Sequence, residues 1–343
     1  MRRIQSSSGF TLIEALIAIM LTSILLGATL TILRPAGDLS SLVKERGELQ
    51  QNARVALNSL SRELSISGTG FPLGGIQLPA GDNSQPALFA CTFGECYVQD
   101  NTYEDRRLFA VTPGPSRGSA VAGVPTDVVT LAFRDDRFAL DQYPLVNING
   151  TGTLIQVDTR TNPPITDQVV GIEPGDVLVL CNANGCSAAV ATGVTSTEIS
   201  LNQGDPLRFN QVNAEYGNVK ALENPAGGFP PTRAYRIDVV TYFLDTSIED
   251  NPRLMRQVNA HPAEAVAEFV ENLQITYDIF EDAVSSVSSD LPDAGDRPNQ
   301  IRKINLFVAA RSPAERLFDK GFDRTTMRTS VSARNLVFRD RYE

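Results

Sequence analysis

The sequence predicts an α+β fold: a long N-terminal helix, half of it in a membrane, packed on a mainly antiparallel β globular domain. Three observations predict it. From Phe10 to Leu33 a run of apolar and small residues carries one charge, Glu14, and is long enough to cross a bilayer as a helix. From Leu39 to Leu64 apolar residues recur at spacings near three and four, the pattern of a helix with one buried stripe. After Pro72 glycine and proline become frequent, and short β-branched runs alternate with turn signals. At 343 residues the chain can bury one large core or two smaller ones.

Residues 1–9 form a short leader. Arg2 and Arg3 sit just ahead of the apolar run and favour a cytoplasmic N-terminus, although Arg34, Lys44 and Arg46 follow on the other side. The run, 10–33, exceeds a secretory h-region, and no A-x-A-like cleavage site follows it. An ionisable group inside a membrane segment is a functional hypothesis by default. Glu14 also has a purely local reading, because Thr11-Leu12-Ile13-Glu14 fits the S/T-x-x-E capping box at a helix start. On that reading Gly9 is a loop glycine and the segment an uncleaved anchor. Ala15, Ala18, Ser23 and Gly27 are small residues of the kind that let helices approach closely in lipid.

A basic leader, then Gly9-Phe10-Thr11-Leu12-Ile13-Glu14, then an apolar helix resembles the N-terminus of type IV prepilins and pseudopilins. The resemblance implies cleavage by a prepilin peptidase between Gly9 and Phe10, N-methylation of Phe10 as the mature first residue, and a subunit-assembly role for Glu14. It implies a single-pass inner-membrane protein whose C-terminal domain lies outside the cytoplasm, moving to the pilus and cell surface on assembly. The free amine made at Phe10 supplies a partner for Glu14 on a neighbouring subunit, which an uncleaved anchor does not.

Pro35 and Gly37 predict an interruption just past the membrane. The helix then resumes with a stripe of Leu39, Leu42, Val43, Leu49, Ala53, Ala56, Leu57, Leu60 and Leu64. Its outer face carries Lys44, Glu45, Arg46, Glu48, Arg54, Arg62 and Glu63, and it ends at the breakers Gly68, Gly70 and Pro72. The N-terminal helix thus covers 10–67 and the β-rich domain 68–343. Predicted strands are 107–112, 127–133, 154–158, 176–181, 187–191, 198–201, 235–244, 254–258, 273–279, 301–310 and 328–338, with a short helix at 263–270. The stretches 114–123 and 285–300 read as exposed loops. Residues 140–230 are a possible sub-lobe.

Further segments are similar to the PilW-type minor pilins: Gln51-Asn52-Ala53-Arg54 with Arg62-Glu63-Leu64, Gly175 to Leu180 ahead of a cysteine, Asn251 to Arg256, Val270 to Tyr277, and Ile301 to Arg311. This implies a minor pilin that joins other minor and major pilins to initiate or cap a filament. The alternatives are a pseudopilin of a type II secretion system, whose comparable subunits are shorter, and a membrane-anchored binding protein that never polymerises.

The four cysteines fall in two C-x4-C pairs, Cys91 with Cys96 and Cys181 with Cys186. Asn184-Gly185 is a turn signal between two β runs, which would set Cys181 opposite Cys186 across a hairpin. Two local disulfides suit an exported domain. Four cysteines allow three connectivities, and a zinc site built from both pairs is the competing reading.

Composition argues against several function classes. The net charge is −10, and loss of the leader's two arginines makes it more negative, against a nucleic-acid partner. Trp is absent and His261 is the lone histidine, leaving little material for acid–base or metal chemistry. Gly114-Pro115-Ser116-Arg117-Gly118 matches G-x-S-x-G without the strand-then-helix context of a nucleophile elbow. Asp282, Asp290, Asp293 and Asp296 cluster without EF-hand spacing. The reading is a non-enzyme with no cofactor and no metal.

Overall fold

The computed structural model describes residues 11–72, 74–88, 91–92, 95–96, 106–138, 140–158, 164–167, 171–248, 250–281, 285–289, 300–315, 321–332 and 335. One helix, α1 (Leu12–Ile66), opens the chain. The strands follow in two groups. The first is β1 (Ile76–Gln77), β2 (Cys91–Thr92), β3 (Glu95–Cys96), β4 (Arg107–Leu108), β5 (Val111–Val121), β6 (Val124–Arg134), β7 (Leu145–Ile148), β8 (Leu154–Val157), β9 (Val177–Asn182) and β10 (Gly185–Val190). The second is β11 (Gly193–Val194), β12 (Glu198–Ser200), β13 (Arg233–Asp245), β14 (Arg253–Val258), β15 (Glu264–Glu268), β16 (Val270–Glu281), β17 (Ser285–Ser289), β18 (Ile301–Glu315) and β19 (Phe322–Ser332).

Helix α1 has 55 residues and so is about 80 Å long. It runs unbroken through Pro35 and Gly37, where the sequence predicts an interruption. Proline removes one amide bond, but its fixed φ is helical, and the flanking turns carry the helix across. The helix stops where glycine permits: Ser67 caps it, and Gly68 follows at φ 79°, the left-handed position that closes many helices.

The β domain has a nine-stranded sheet, two four-stranded sheets and the two-stranded β2–β3 ladder. In the nine-stranded sheet the order is β15-β14-β13-β9-β10-β1-β4, with β6 and β5 attached through β13. All its ladders are antiparallel except the β1–β10 bridge. Strand β13 is long enough to serve three partners, pairing β9 over 233–237, β6 over 237–242 and β14 over 240–245. A four-stranded meander, β17-β16-β18-β19, stands beside it. Ala56, Leu60 and Leu64 of α1 share one core with residues from both sheets, among them Val129, Val179, Tyr242, Ile275 and Leu306.

Strands β11-β12-β8-β7 form the third sheet, and it has its own apolar cluster, including Leu140, Ile155, Ile165, Ile199 and Leu222. That cluster is not detached. Strand β9 turns Val177 and Val179 into the main core and Leu178 and Leu180 into the second. The β7, β8, β11 and β12 sheet therefore packs on the back of the main sheet, to which the 140–230 segment itself lends β9 and β10, and this explains why Val177–Leu180 is apolar on both faces.

Three readings are corrected. Residues 263–270 are not a helix: Glu264–Glu268 is β15, bonded to β14 with a bulge, because an available sheet edge outweighs a short Ala/Val-rich run's helix propensity. The 114–123 segment is not a loop but most of β5. Its prolines are tolerated because, among the described residues, β5 pairs only with β6, and the register shifts at Gly114 and Gly118. Within 285–300, Ser285–Ser289 is strand β17 on β16, while 290–299 lies outside the described residues. Stretches of the predicted 328–338 strand also fall outside them, and the described strand there is β19.

Candidate functional site

The site begins at Thr11, the N-cap of α1. Gly9 and Phe10 lie outside the described residues. The Thr11 side chain accepts the Glu14 amide (3.3 Å), and the Thr11 amide and hydroxyl both donate to Glu14 Oε2, at 3.0 and 2.9 Å. This is the reciprocal capping box that T-x-x-E encodes. Both bonds donated by Thr11 fall on one carboxylate oxygen, Oε2, so the cap uses only one of the two oxygens of Glu14. Local capping and an intersubunit ion pair are thus compatible roles for one side chain.

Leu12–Thr31 is a 20-residue apolar span, none of it buried, about 30 Å long and so matched to a bilayer core. Large side chains project all round it, including Leu12, Ile13, Leu25 and Leu26. Its hydroxyls are satisfied within the helix: Thr22 donates to Ala18 O, Ser23 to Ile19 O, Thr29 to Leu25 O and Thr31 to Ala28 O. That is the arrangement lipid demands of polar groups.

The other half of α1 is clasped to the β domain. Leu49, Ala53, Ala56, Leu60 and Leu64 are buried, the stripe the spacing predicts. Val43, assigned to that stripe, is exposed, because the β domain does not reach that far down the helix. Glu63 is not on the outer face. Its Oε1 accepts from Arg256 Nη2 at 2.6 Å and Nε at 2.9 Å. One turn earlier Ser59 Oγ meets the hydroxyl of fully buried Tyr242 at 2.8 Å. Burial first, and then the Glu63 charge, push that phenol's pKa up, so it stays neutral. Past the helix end, Gly68 N donates to Ala132 O and Arg134 N to Thr69 O, welding the exit to β6. Sequence reading missed Glu63 and Ser59 because their partners lie 193 and 183 residues away.

Beside this seam lies a charged cluster. Arg236 Nη2 sits 2.6 Å from Asp135 Oδ2, and its Nη1 sits 3.1 Å from Asp176 Oδ2. Arg137 Nε sits 2.8 Å from Asp135 Oδ1, and its Nη2 sits 3.3 Å from Asp238 Oδ2. Burial opposes ionisation of Asp135, but the Arg137 hydrogen bonds and the Arg236 charge hold its pKa below normal. Burial and the neighbouring Asp135 charge raise the Asp238 carboxyl to about 6. Lone His261 bonds Asp176 Oδ1 at 3.0 Å. Ser116 sits in β5, where its amide donates to Asp127, so neither joins the other in a nucleophile–base pair. Asp282, Asp290, Asp293 and Asp296 lie outside the described residues. No group of three or more metal-ligating side chains occurs among the described ones.

Cys181 and Cys186 face each other across the β9–β10 hairpin and are bonded. Asn184 at the turn ties the tip to the end of the short 3-10 helix Val219–Leu222 and the turn after it, through Leu222 O and Asn224. Cys91 and Cys96 are paired residues of the β2–β3 bridge; their side chains are outside the described set.

The profile of the prokaryotic N-terminal methylation motif matches residues 4–30. A type IV-like pilin from Thermus thermophilus aligns over 48% of this chain and 87% of its own, with 10% identity and a TM-score of 0.18, too loose a superposition to carry an argument. The comparison with curated proteins finds no match. A bilayer-length helix entered through a methylation motif, and continuing into the core of an antiparallel β domain, makes this a pilin-like protein built for an inner-membrane anchor.

Proposed function

We propose that the chain is a minor pilin subunit of a type IV pilus, helping to initiate or cap the filament with other minor and major pilins. Prepilin peptidase cuts between Gly9 and Phe10, Phe10 is N-methylated, and Glu14 then receives the Phe10 amine of an adjacent subunit. One observation carries the reading. The methylation motif leads into a helix whose first 20 residues are not buried against the β domain, so that length is left for lipid and then for other helices. In such a dry interface a charge-assisted bond is among the stronger ones. Leaving the membrane without it would strand a charge, which favours one register between subunits. The PilW-like segments support the minor-pilin form. The motif serves a pseudopilin of a secretion system equally well, and the proteins that co-purify separate the two machines.

The test is Glu14→Ala. Membrane insertion and cleavage after Gly9 should persist, since a charge is removed from lipid. Filament number and co-purification with other pilins should fall. Normal filaments together with normal co-purification would reduce Glu14 to its capping role.

A further inference from the structure

The meander turns one face to the core and the other away from it. Ile304, Leu306 and Val308 of β18 are buried in the core that α1 shares, so by strand alternation Asn305 and Phe307 project from the opposite face. Register then sets two rows of three side chains straight across β16, β18 and β19. Gln274, Phe307 and Arg328 make one row, and Thr276, Asn305 and Ser330 the other. These six line a groove of about 620 Å³, within the range of small-molecule sites, and their grid measures about 10 by 7 Å. Most of it is held still from within the fold. The Gln274 amide donates to Pro125 O on β6 and to Asn272 Oδ1, both at 2.9 Å. Asn305 donates to Asp278 Oδ1 at 2.9 Å and accepts from Ser330 Oγ at 2.7 Å. Arg328 lies over the Phe307 ring, 5.0 Å from its centroid.

Among the described residues, Gln274 Oε1, the Thr276 hydroxyl and the Arg328 guanidinium have no hydrogen-bond or ion-pair partner within the chain. Asp278, two residues beyond Thr276 on the same face, is matched by Lys303 at 3.4 Å, and Glu271 by Arg324 at 2.7 Å. Arg328 is the cation left over, in a groove whose described lining holds no acid and in a chain of net charge −10. A guanidinium stacked on an aromatic face keeps its N–H fork ready for an oxyanion that takes two bonds side by side. We propose that this groove binds acidic saccharides, with Arg328 taking a carboxylate or sulfate and Gln274 and Thr276 taking ring hydroxyls. The rest of the lining favours a sugar over a protein. Protein partners anchor through aromatic or aliphatic side chains sunk in pockets, whereas the one aromatic here lies beneath Arg328. A lone cation is too few for nucleic acid, which is held through many phosphates. Polar groups already fixed in place reduce the ordering cost of binding. Binding here does not depend on which machine the subunit enters.

The detergent-extracted full chain, passed over an array of neutral, uronate-bearing, sialylated and sulfated glycans with immobilised triglutamate alongside, tests the ligand class. Capture by acidic glycans, and not by neutral ones or by triglutamate, is expected, and the spots that bind separate carboxylate from sulfate. Equal capture by triglutamate or by neutral glycans, or no capture by any glycan, overturns the proposal. Arg328→Gln should weaken binding to the best acidic glycan about tenfold while the melting profile stays unchanged. Thr276→Val, which removes the hydroxyl and keeps the side chain's shape, should weaken it about fivefold. Arg324→Gln, on the same strand face but paired with Glu271, should leave it unchanged. Retained affinity in both Arg328→Gln and Thr276→Val would refute the site, and so would a loss in Arg324→Gln equal to that in Arg328→Gln, which marks a diffuse effect of charge.

Discussion

Asp238→Asn should make the protein more stable at neutral pH, although it removes a charge that lies beside two arginines. Asp238 is on β13 and 8% exposed. The groups facing it are the carboxylates of Asp135 and Asp176 and the guanidinium groups of Arg137 and Arg236. Burial is the largest influence and Asp135 the next, and together they lift the carboxyl from 3.8 to about 6. About two units at about 1.36 kcal/mol each is on the order of 3 kcal/mol. The folded form holds this proton to a higher pH than the unfolded chain does. Its contribution to stability is therefore full below about pH 4 and lost as pH rises through about 6. Asparagine carries no charge to bury and can still accept a bond from Arg137. The expected gain is on the order of 1–3 kcal/mol at about pH 7.5, shrinking toward zero near pH 4. Denaturant melts of the detergent-extracted full chain, wild type and variant, across that range measure it. A loss at pH 7.5, or a gain that does not vary with pH, would show that attraction to Arg137 outweighs burial. Asp135 has the opposite sign: its depressed pKa makes its contribution one that disappears as the solution is acidified.

Further outcomes follow from the same contacts. Leu60→Ala, at a fully buried position, should lower stability by about 3 kcal/mol, whereas Val55→Ala on the exposed stripe should change it by less than about 0.5 kcal/mol; equal effects in melts would contradict the helix–domain seam. Replacing Cys181 and Cys186 by serine opens a loop with a sequence separation of 5 and should cost about 2 kcal/mol; non-reducing peptide maps identify the link, and free thiols at both positions in the exported protein would refute it. Mass spectrometry of the membrane-extracted protein should find a chain starting at N-methylated Phe10, and an intact Met1 in wild-type cells would overturn the processing scheme.

Periodic features were the legible ones. The buried stripe Leu49, Ala53, Ala56, Leu60 and Leu64 is written in local spacing, as are the apolar span and the capping box at Thr11 and Glu14. The β runs of β6, β9, β13, β16 and β18 were legible because β-branched and aromatic residues fill them. Apart from the break expected at Pro35 and Gly37, what failed was what depended on a distant partner. Glu63 looks like an ordinary outer-face acid until Arg256 is placed beside it. The Ser-rich β17 and the Pro/Gly-rich β5 contradict their own propensities and exist because β16 and β6 offer edges to pair with. The Asp135, Asp176, Asp238, Arg137 and Arg236 cluster had no sequence signal, since its members come from separate elements brought together only by folding.

The clasps on α1 are unevenly distributed, and that has a mechanical consequence. The Tyr242 and Arg256 bonds and the Gly68 weld all fall at Ser59 or beyond, in the last turns before the exit. Lower down, the ion pair holding the helix to the β domain is Arg46 with Asp323 at 3.9 Å, backed by apolar contacts from Leu49 onward. Tension applied at the anchor therefore reaches the lower end of this seam first, where the Arg46 ion pair and the buried Leu49 and Ala53 hold the rod. The clustered bonds at the exit take the load last. The polar bonds between stem and head are thus concentrated beside the helix exit, away from the end at which a pull arrives.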